Sequence, residues 1–223
     1  MIKFDLTKVM NASGADPGTF YIGQNDLEHM EKLIKAWGSD HRKFMKRILV
    51  SVDITAPLYW WEEFGTCETG TAANSCSTMH TIADKEFTLD DFSHEHLFGS
   101  VYRFERDTNK CIDNNDDSCE LRVSFGHEDD YENWCMCGIL ETVIRALNVA
   151  RNRYLETKDK KYWWQMIQLI PSSYNQRRTV TLNYEVLRNM YHARKNHKLD
   201  EWGIGFVKWV ESLPCSKLIT MEA

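Results

Sequence analysis

Hydrophobic residues recur along this chain with two different periods, and the switches between them mark out its elements. From Leu27 through Met30, Leu33 or Ile34 to Trp37 the spacing is helical. Asn25, with Glu28 three positions on, predicts a capped start, and Gly38-Ser39-Asp40 predicts the stop. Between Arg47 and Thr55 the period drops to two. Ile48, Val50, Val52 and Ile54 alternate with Leu49, Ser51, Asp53 and Thr55, the pattern of a strand that buries one face. Pro57 suits the first turn of a helix running from Leu58 to Phe64. Gly65 and Gly70 then open a loop of small and hydroxyl residues, Thr69 to Thr78.

Helical spacing returns over residues 134–155, where Ile139, Leu140, Val143, Leu147 and Tyr154 mark one face, and again from Lys160 to Ile170, ahead of Pro171. Asn183 to Asn196 reads as a further helix. Asp200 is expected to cap another, which carries Trp202, Phe206, Trp209 and Leu213. These elements imply an α+β fold, a twisted, mixed or antiparallel sheet packed with helices. With no repeat and no low-complexity linker, residues 1–223 are expected to form one domain. The polar section at about 105–133 reads as an insertion.

Composition narrows the function classes. Asp plus Glu outnumber Lys plus Arg by 33 to 27, giving a net charge of −6, which does not suit a general nucleic-acid binder. No stretch approaches the ~18–20 apolar residues of a membrane span. Met1-Ile2-Lys3-Phe4-Asp5 does not read as a signal peptide, so a cytoplasmic protein is expected. Seven cysteines, an odd number, suit reduced thiols better than a disulfide framework. Eight Trp, nine Tyr and ten Phe are either large core residues or stacking surfaces for a planar ligand.

Several chemistries can be weighed on spacing. Cys111, Cys119, Cys135 and Cys137, with His127, lack the paired C-x2-4-C spacing of a structural zinc site, and ordinary thiols are expected, with no metal. The acidic run from Asp107 fails the EF-hand register, because its twelfth residue is Ser118. His94 and His96 share a strand-like spacing without a carboxylate partner. Neither a phosphate-cradling G-x-x-x-x-G-K-[ST] loop nor a G-x-S-x-G elbow occurs.

Two segments concentrate unusual residues in a tight order. The first runs from Asp53-Ile54-Thr55-Ala56-Pro57 through Tyr59-Trp60-Trp61-Glu62-Glu63-Phe64 to Asn74-Ser75-Cys76-Ser77-Thr78-Met79-His80. The second runs from Pro171 and Tyr174 through Thr181-Leu182-Asn183-Tyr184-Glu185-Val186-Leu187-Arg188-Asn189 to Arg194, His197 and Glu201-Trp202. Their order and spacing resemble the flavin-dependent thymidylate synthases, the ThyX family. Ala56-Pro57 matches that family's helix start, and Asn74 and Ser77 match its RHR…S.NE.S.RY signature. Thr181, Asn183, Leu187 and Asn189 match its later T-V-N-A-R-S-L-x-N block, and Arg194 and Trp202 match the arginine and tryptophan beyond that block. The likeness spans roughly residues 41–80 and 134–213.

The resemblance implies a homotetramer with sites shared between subunits, and a pocket for a nucleotide or other planar small molecule. FAD is a possible cofactor by this likeness alone. Asn183 and Asn189 match flavin-bonding residues, and Arg194 matches the arginine that contacts the substrate pyrimidine. His197 lies one position from the family's histidine, while Ser77 and Asn74 offer polar groups. Their spacing along one helix is expected to bring Asn183, Asn189 and Arg194 round to a common side. Tyr59, Trp60 or Trp61 would stack on a planar ring. Each has a plain structural alternative: capping and turn duty for the asparagines, and a surface ion pair for Arg194.

The departures concern charge. Cys67-Glu68-Thr69 stand where the family has RHR, Met79-His80 where it has R-Y, Glu185 where it has the Arg of N-A-R, and Glu62 where an R-Q pair begins. Those arginines hold phosphates by bidentate bonds. A carboxylate in their place repels a phosphate by about 4 kcal/mol per close pair at an effective dielectric of about 20. The expectation is therefore a divergent, ThyX-like nucleotide-binding protein without the standard dUMP-to-dTMP reaction. Sequestering or sensing a nucleotide is the role expected of it, and a phage or mobile-element setting would suit it. A flavoenzyme with a rebuilt FAD site and a structural or interaction protein with a vestigial pocket are the alternatives. Arg177 and Arg178 either form a solvated loop pair or rebuild an anion site.

Overall fold

A computed structural model describes residues 2–5, 24–36, 39–66, 71–75, 78–97, 102–105, 110–113, 131–134 and 136–222. The chain divides into two compact units. One is built from Met1–Cys76 and Asn175–Ala223, and the other is the intervening Ser77–Tyr174.

The first unit is organised by a four-stranded antiparallel sheet. Its strands are β1 (Lys3–Asp5), β2 (Leu49–Pro57), β3 (Ala72–Ser75) and β7 (Asn175–Asn183), in the order β1-β2-β7-β3. β2 and β7 pair along their whole length, from Leu49 opposite Asn183 to Pro57 opposite Asn175. Val50, Val52 and Ile54 turn into the core from β2, as their alternation predicts, and Val180 and Leu182 join them from β7. Asp53, on the same strand, is also buried. It accepts Arg177 Nη2 at 2.5 Å and Thr179 Oγ1 at 2.5 Å across the ladder.

Helices cover this sheet. α1 (Gln24–Lys35) buries Ile34 and sets Leu27 and Met30 against the core. It begins one residue before the predicted cap, so Asn25 sits inside its first turn. A 3-10 helix over Ser39–Arg47 comes next, anchored by fully buried Met45. α2 (Leu58–Gly65) starts directly after Pro57, whose extended backbone (φ −67°, ψ 155°) makes it the last strand residue and not a first-turn one.

β7 runs where the two arginines suggest a loop. Thr179, Val180, Thr181 and Leu182 alternate as a half-buried strand requires, and Arg177 and Arg178 lie on the strand with them. α6 (Tyr184–Arg194) continues from its end. Arg188 of this helix donates to the carbonyls of Ile219 at 3.0 Å and Met221, tying down the C-terminal segment. Asp200 makes no side-chain cap. The chain instead takes a π-helical turn over Glu201–Phe206, then α7 (Val207–Glu211) and, last, α8 (Lys217–Thr220).

The second unit contains α3 (Thr78–Thr81), a 3-10 turn at Leu89–Asp91, and a three-stranded antiparallel sheet. The strands are β4 (Tyr102–Glu105), β5 (Lys110–Asp113) and β6 (Tyr131–Trp134), in the order β5-β4-β6. The acidic section thus includes strands. Two long helices, α4 (Met136–Thr157) and α5 (Lys160–Leu169), complete it close to the predicted bounds. Leu140, Ile144 and Leu147 of α4 pack with Met166 of α5, Phe87 and Phe92. The Asn148 amide clamps the Phe87 backbone, donating to its carbonyl and accepting from its N–H, each at 2.8 Å.

No helix among the described residues is long and apolar enough to cross a membrane. None of their His, Cys, Asp or Glu side chains form a group of three that could hold a metal ion. Cys119, His127 and Cys135 lie outside the described residues, as do Cys67, Glu68, Thr69 and Ser77.

Candidate functional site

The residues singled out around Pro57–Phe64 and Arg194–Trp202 meet in one cluster. α2 is short and strongly apolar, and it buries Trp60, Trp61 and Phe64. Glu62 and Glu63 are adjacent, so at ~100° per residue they point in different directions. Glu62 is exposed, while Glu63 turns toward the end of α6.

There Glu63 Oε1 accepts Arg194 Nη1 at 2.6 Å and lies 3.0 Å from His197 Nε2. The Leu199 N–H donates to His197 Nδ1 at 3.2 Å, so in the neutral ring the proton sits on Nε2 and is donated to Glu63. The Arg194 guanidinium also stands 5.2 Å from the Trp202 ring. Trp202 stacks on Trp60 at 4.5 Å, and both are fully buried. The π-helical turn brings Trp202 here: a Cβ on Gly203 would meet the His197 carbonyl oxygen at 2.7 Å, so only glycine lets the turn approach so closely. Tyr59 donates to the buried Glu201 carboxylate from the same turn.

Three buried N–H donors of this cluster have no hydrogen-bond acceptor among the described residues: Arg194 Nε, Trp60 Nε1 and Trp202 Nε1. Buried polar groups are nearly always paired, and leaving one unpaired costs about 1–3 kcal/mol. All three lie inside the packed cluster, where Trp60 and Trp202 are fully buried against each other.

The remaining candidates separate. Asn183 caps α6, its Oδ1 accepting the Val186 N–H at 3.0 Å. Asn189 is exposed on α6, about 140° around the helix from Arg194 at ~100° per residue, so the expectation of a common side is corrected. Asn74 is exposed on β3. The ring faces of Trp60 and Trp61 are occupied by this chain's own groups: Trp60 by Trp202 and Phe64, Trp61 by Arg178, whose guanidinium lies 4.5 Å from its ring. Arg177 is engaged by Asp53. Glu185 is buried, its Oε1 3.4 Å from Arg42 Nη2 and its Oε2 without a partner among the described residues.

Sequence reasoning alone misses Glu63, Glu201 and Arg42 as members of these contacts. Glu63 is hidden by its neighbour, because adjacency does not say which of two carboxylates faces inward. Arg42 lies in a 3-10 helix that leaves no periodic signal.

No family model matches the chain, and no curated protein matches it. Solved structures do. Two crystal structures of thymidylate synthase X from Helicobacter pylori, each with FAD and dUMP, align at 15% identity over 89% of this chain and 83% of theirs, with TM-scores of 0.55 and 0.56. The chain carries a divergent form of the ThyX fold.

Proposed function

We propose that this protein is a divergent ThyX-like binder of a nucleotide or a related planar molecule, and that it does not convert dUMP to dTMP. The observation that carries this reading is the double contact of Glu63 with Arg194 and His197. The arginine that the likeness assigns to the pyrimidine is held by an internal carboxylate. An unpartnered Nε–H remains beside it for a ring carbonyl.

FAD does not fit these residues in the ThyX manner. A diphosphate needs cationic donors, but Glu185 presents a buried carboxylate, and Arg177 and Arg178 are already engaged on β7. Ser77, Asn74, Asn183 and Asn189 remain candidate ligand contacts by resemblance, and we take the chain to be a single ThyX-like domain assembled as a homotetramer.

Protein purified without added cofactor is expected to be colourless and to form no dTMP from dUMP with a folate donor. Calorimetric titration with deoxyuridine nucleotides is expected to show binding that weakens at least ~10-fold in Arg194→Ala. That factor corresponds to about 1.4 kcal/mol. Stoichiometric FAD, or dTMP formation lost in Arg194→Ala, would overturn the reading in favour of a flavoenzyme. Absence of all nucleotide binding would leave a structural role.

A further inference from the structure

A groove separate from the Glu63 cluster lies in the unit formed by Ser77–Tyr174, between α3 with the turn after it and the junction of α4 and α5. Its volume is about 510 Å³, and its lining includes His80, Ile82, Tyr154, Lys158, Lys160 and Trp163. Its volume falls within the ~300–1,000 Å³ range of small-molecule sites.

Four features give the groove its chemistry. No carboxylate among the described residues lines it, although the chain carries a net charge of −6. The acids flanking the two lysines are engaged elsewhere: Asp159 caps α5 and pairs with Lys161 Nζ at 3.0 Å, and Glu156 pairs with Arg153 at 3.3 Å. The two lining ammonium groups face aromatic rings, Lys158 at 5.7 Å from Tyr154 and Lys160 shared between Trp163 at 5.9 Å and Trp164, outside the lining, at 5.7 Å. The walls are also fixed in place. The Trp163 indole N–H donates to the Met79 carbonyl at 3.1 Å, and Arg151 Nε donates to the Ala83 carbonyl at 3.0 Å.

The backbone adds an independent sign. Lys158 has φ 57°, the left-handed conformation that closes α4, with its N–H on the Tyr154 carbonyl at 2.8 Å. Glycine is the residue favoured at such a position. A lysine there bears the backbone cost of that conformation, offset in part by its charge at the helix C-terminus and its contact with Tyr154, and it carries an ammonium group to the groove.

We infer that this groove binds a small organic anion with an aromatic ring, the ring lying against Tyr154 and Trp163 and the anionic group meeting Lys158 and Lys160. It shares no residue with the Glu63 cluster and does not depend on the proposed function.

The test uses 1-naphthyl phosphate as probe, with 1-naphthol and inorganic phosphate for comparison, on the full chain. The phosphate ester is expected to bind at least ~10-fold more tightly than either half, and Lys158→Glu/Lys160→Glu is expected to weaken it at least ~10-fold. A control of equal charge change on other lysines, Lys198→Glu/Lys208→Glu, should leave binding unchanged. Lys158→Gly separates fold from site: its thermal midpoint should rise while its affinity for the probe falls. Equal binding of naphthol and its phosphate would overturn the inference. So would an equal loss in the control variant, or a Lys158→Gly protein with undiminished affinity.

Discussion

Glu63 ties its surroundings together, since one carboxylate oxygen meets both Arg194 and His197. Glu63→Gln should release the guanidinium for an incoming anion and tighten a phosphate-bearing nucleotide by ~10-fold, about 1.4 kcal/mol. Titration of the two proteins side by side checks this, and weaker binding in the variant would contradict it. Asp53 is a different case, because its partners sit opposite it in the sheet. Asp53→Ala removes the acceptor of both Arg177 and Thr179, whose exposed donors then turn to water, and should cost about 1 kcal/mol, measured by chemical denaturation. His192 sets an acid limit. Burial, then the charges of Arg188 and Lys195, hold its pKa below the usual value of 6.5. The folded state therefore resists a proton that the unfolded chain accepts. Stability present above about pH 6.5 is lost as the pH falls toward the depressed value. Denaturation midpoints measured between pH 7.5 and 5 should show this fall, and His192→Gln should flatten it.

At the scale of elements, α6 tests whether a polar residue serves the ligand or the fold. Asn183 caps this helix, so Asn183→Ala should cost about 1 kcal/mol. Asn183→Asp keeps the acceptor and should restore the stability, whereas a contact that needs the amide N–H would not be restored. Elements are legible in the sequence where hydrophobic periodicity survives. β2, α4 and α5 each bury one regular face, and their patterns predict them to within a few residues. β7 is obscured because Arg177 and Arg178 occupy positions that face a carboxylate and an indole ring, partners that only the folded sheet supplies. The π-helical turn reads as a capped α-helix, since its wide spacing still presents Trp202 and Phe206 inward. The same limit applies to the site. Arg194, His197 and Trp202 are visible through the resemblance, but Glu63, which organises them, carries no signal of its own.

For the whole molecule, the homotetramer proposed above predicts about four times the chain mass by light scattering, and a monomer at micromolar concentration would count against it. The nesting of one unit inside the sequence of the other has a kinetic consequence. The sheet of the first unit is closed by β2 and β7, where the hydroxyls of Ser51 and Thr181 meet although they are 130 positions apart in the chain. α4 and α5, by contrast, are neighbours joined by a tight turn. Long-range pairing bears the loop-closure entropy before its contacts are made, whereas local helix pairs form early. During synthesis β2 emerges long before its partner exists, with its hydrogen-bonding edge open to other chains. Pulse-labelled hydrogen exchange during refolding should find the α4 and α5 amides protected before those of β2. Slow emergence of the C-terminal half should raise aggregation through this waiting edge, so charged substitution at exposed Leu49 should improve the soluble yield without altering the finished sheet.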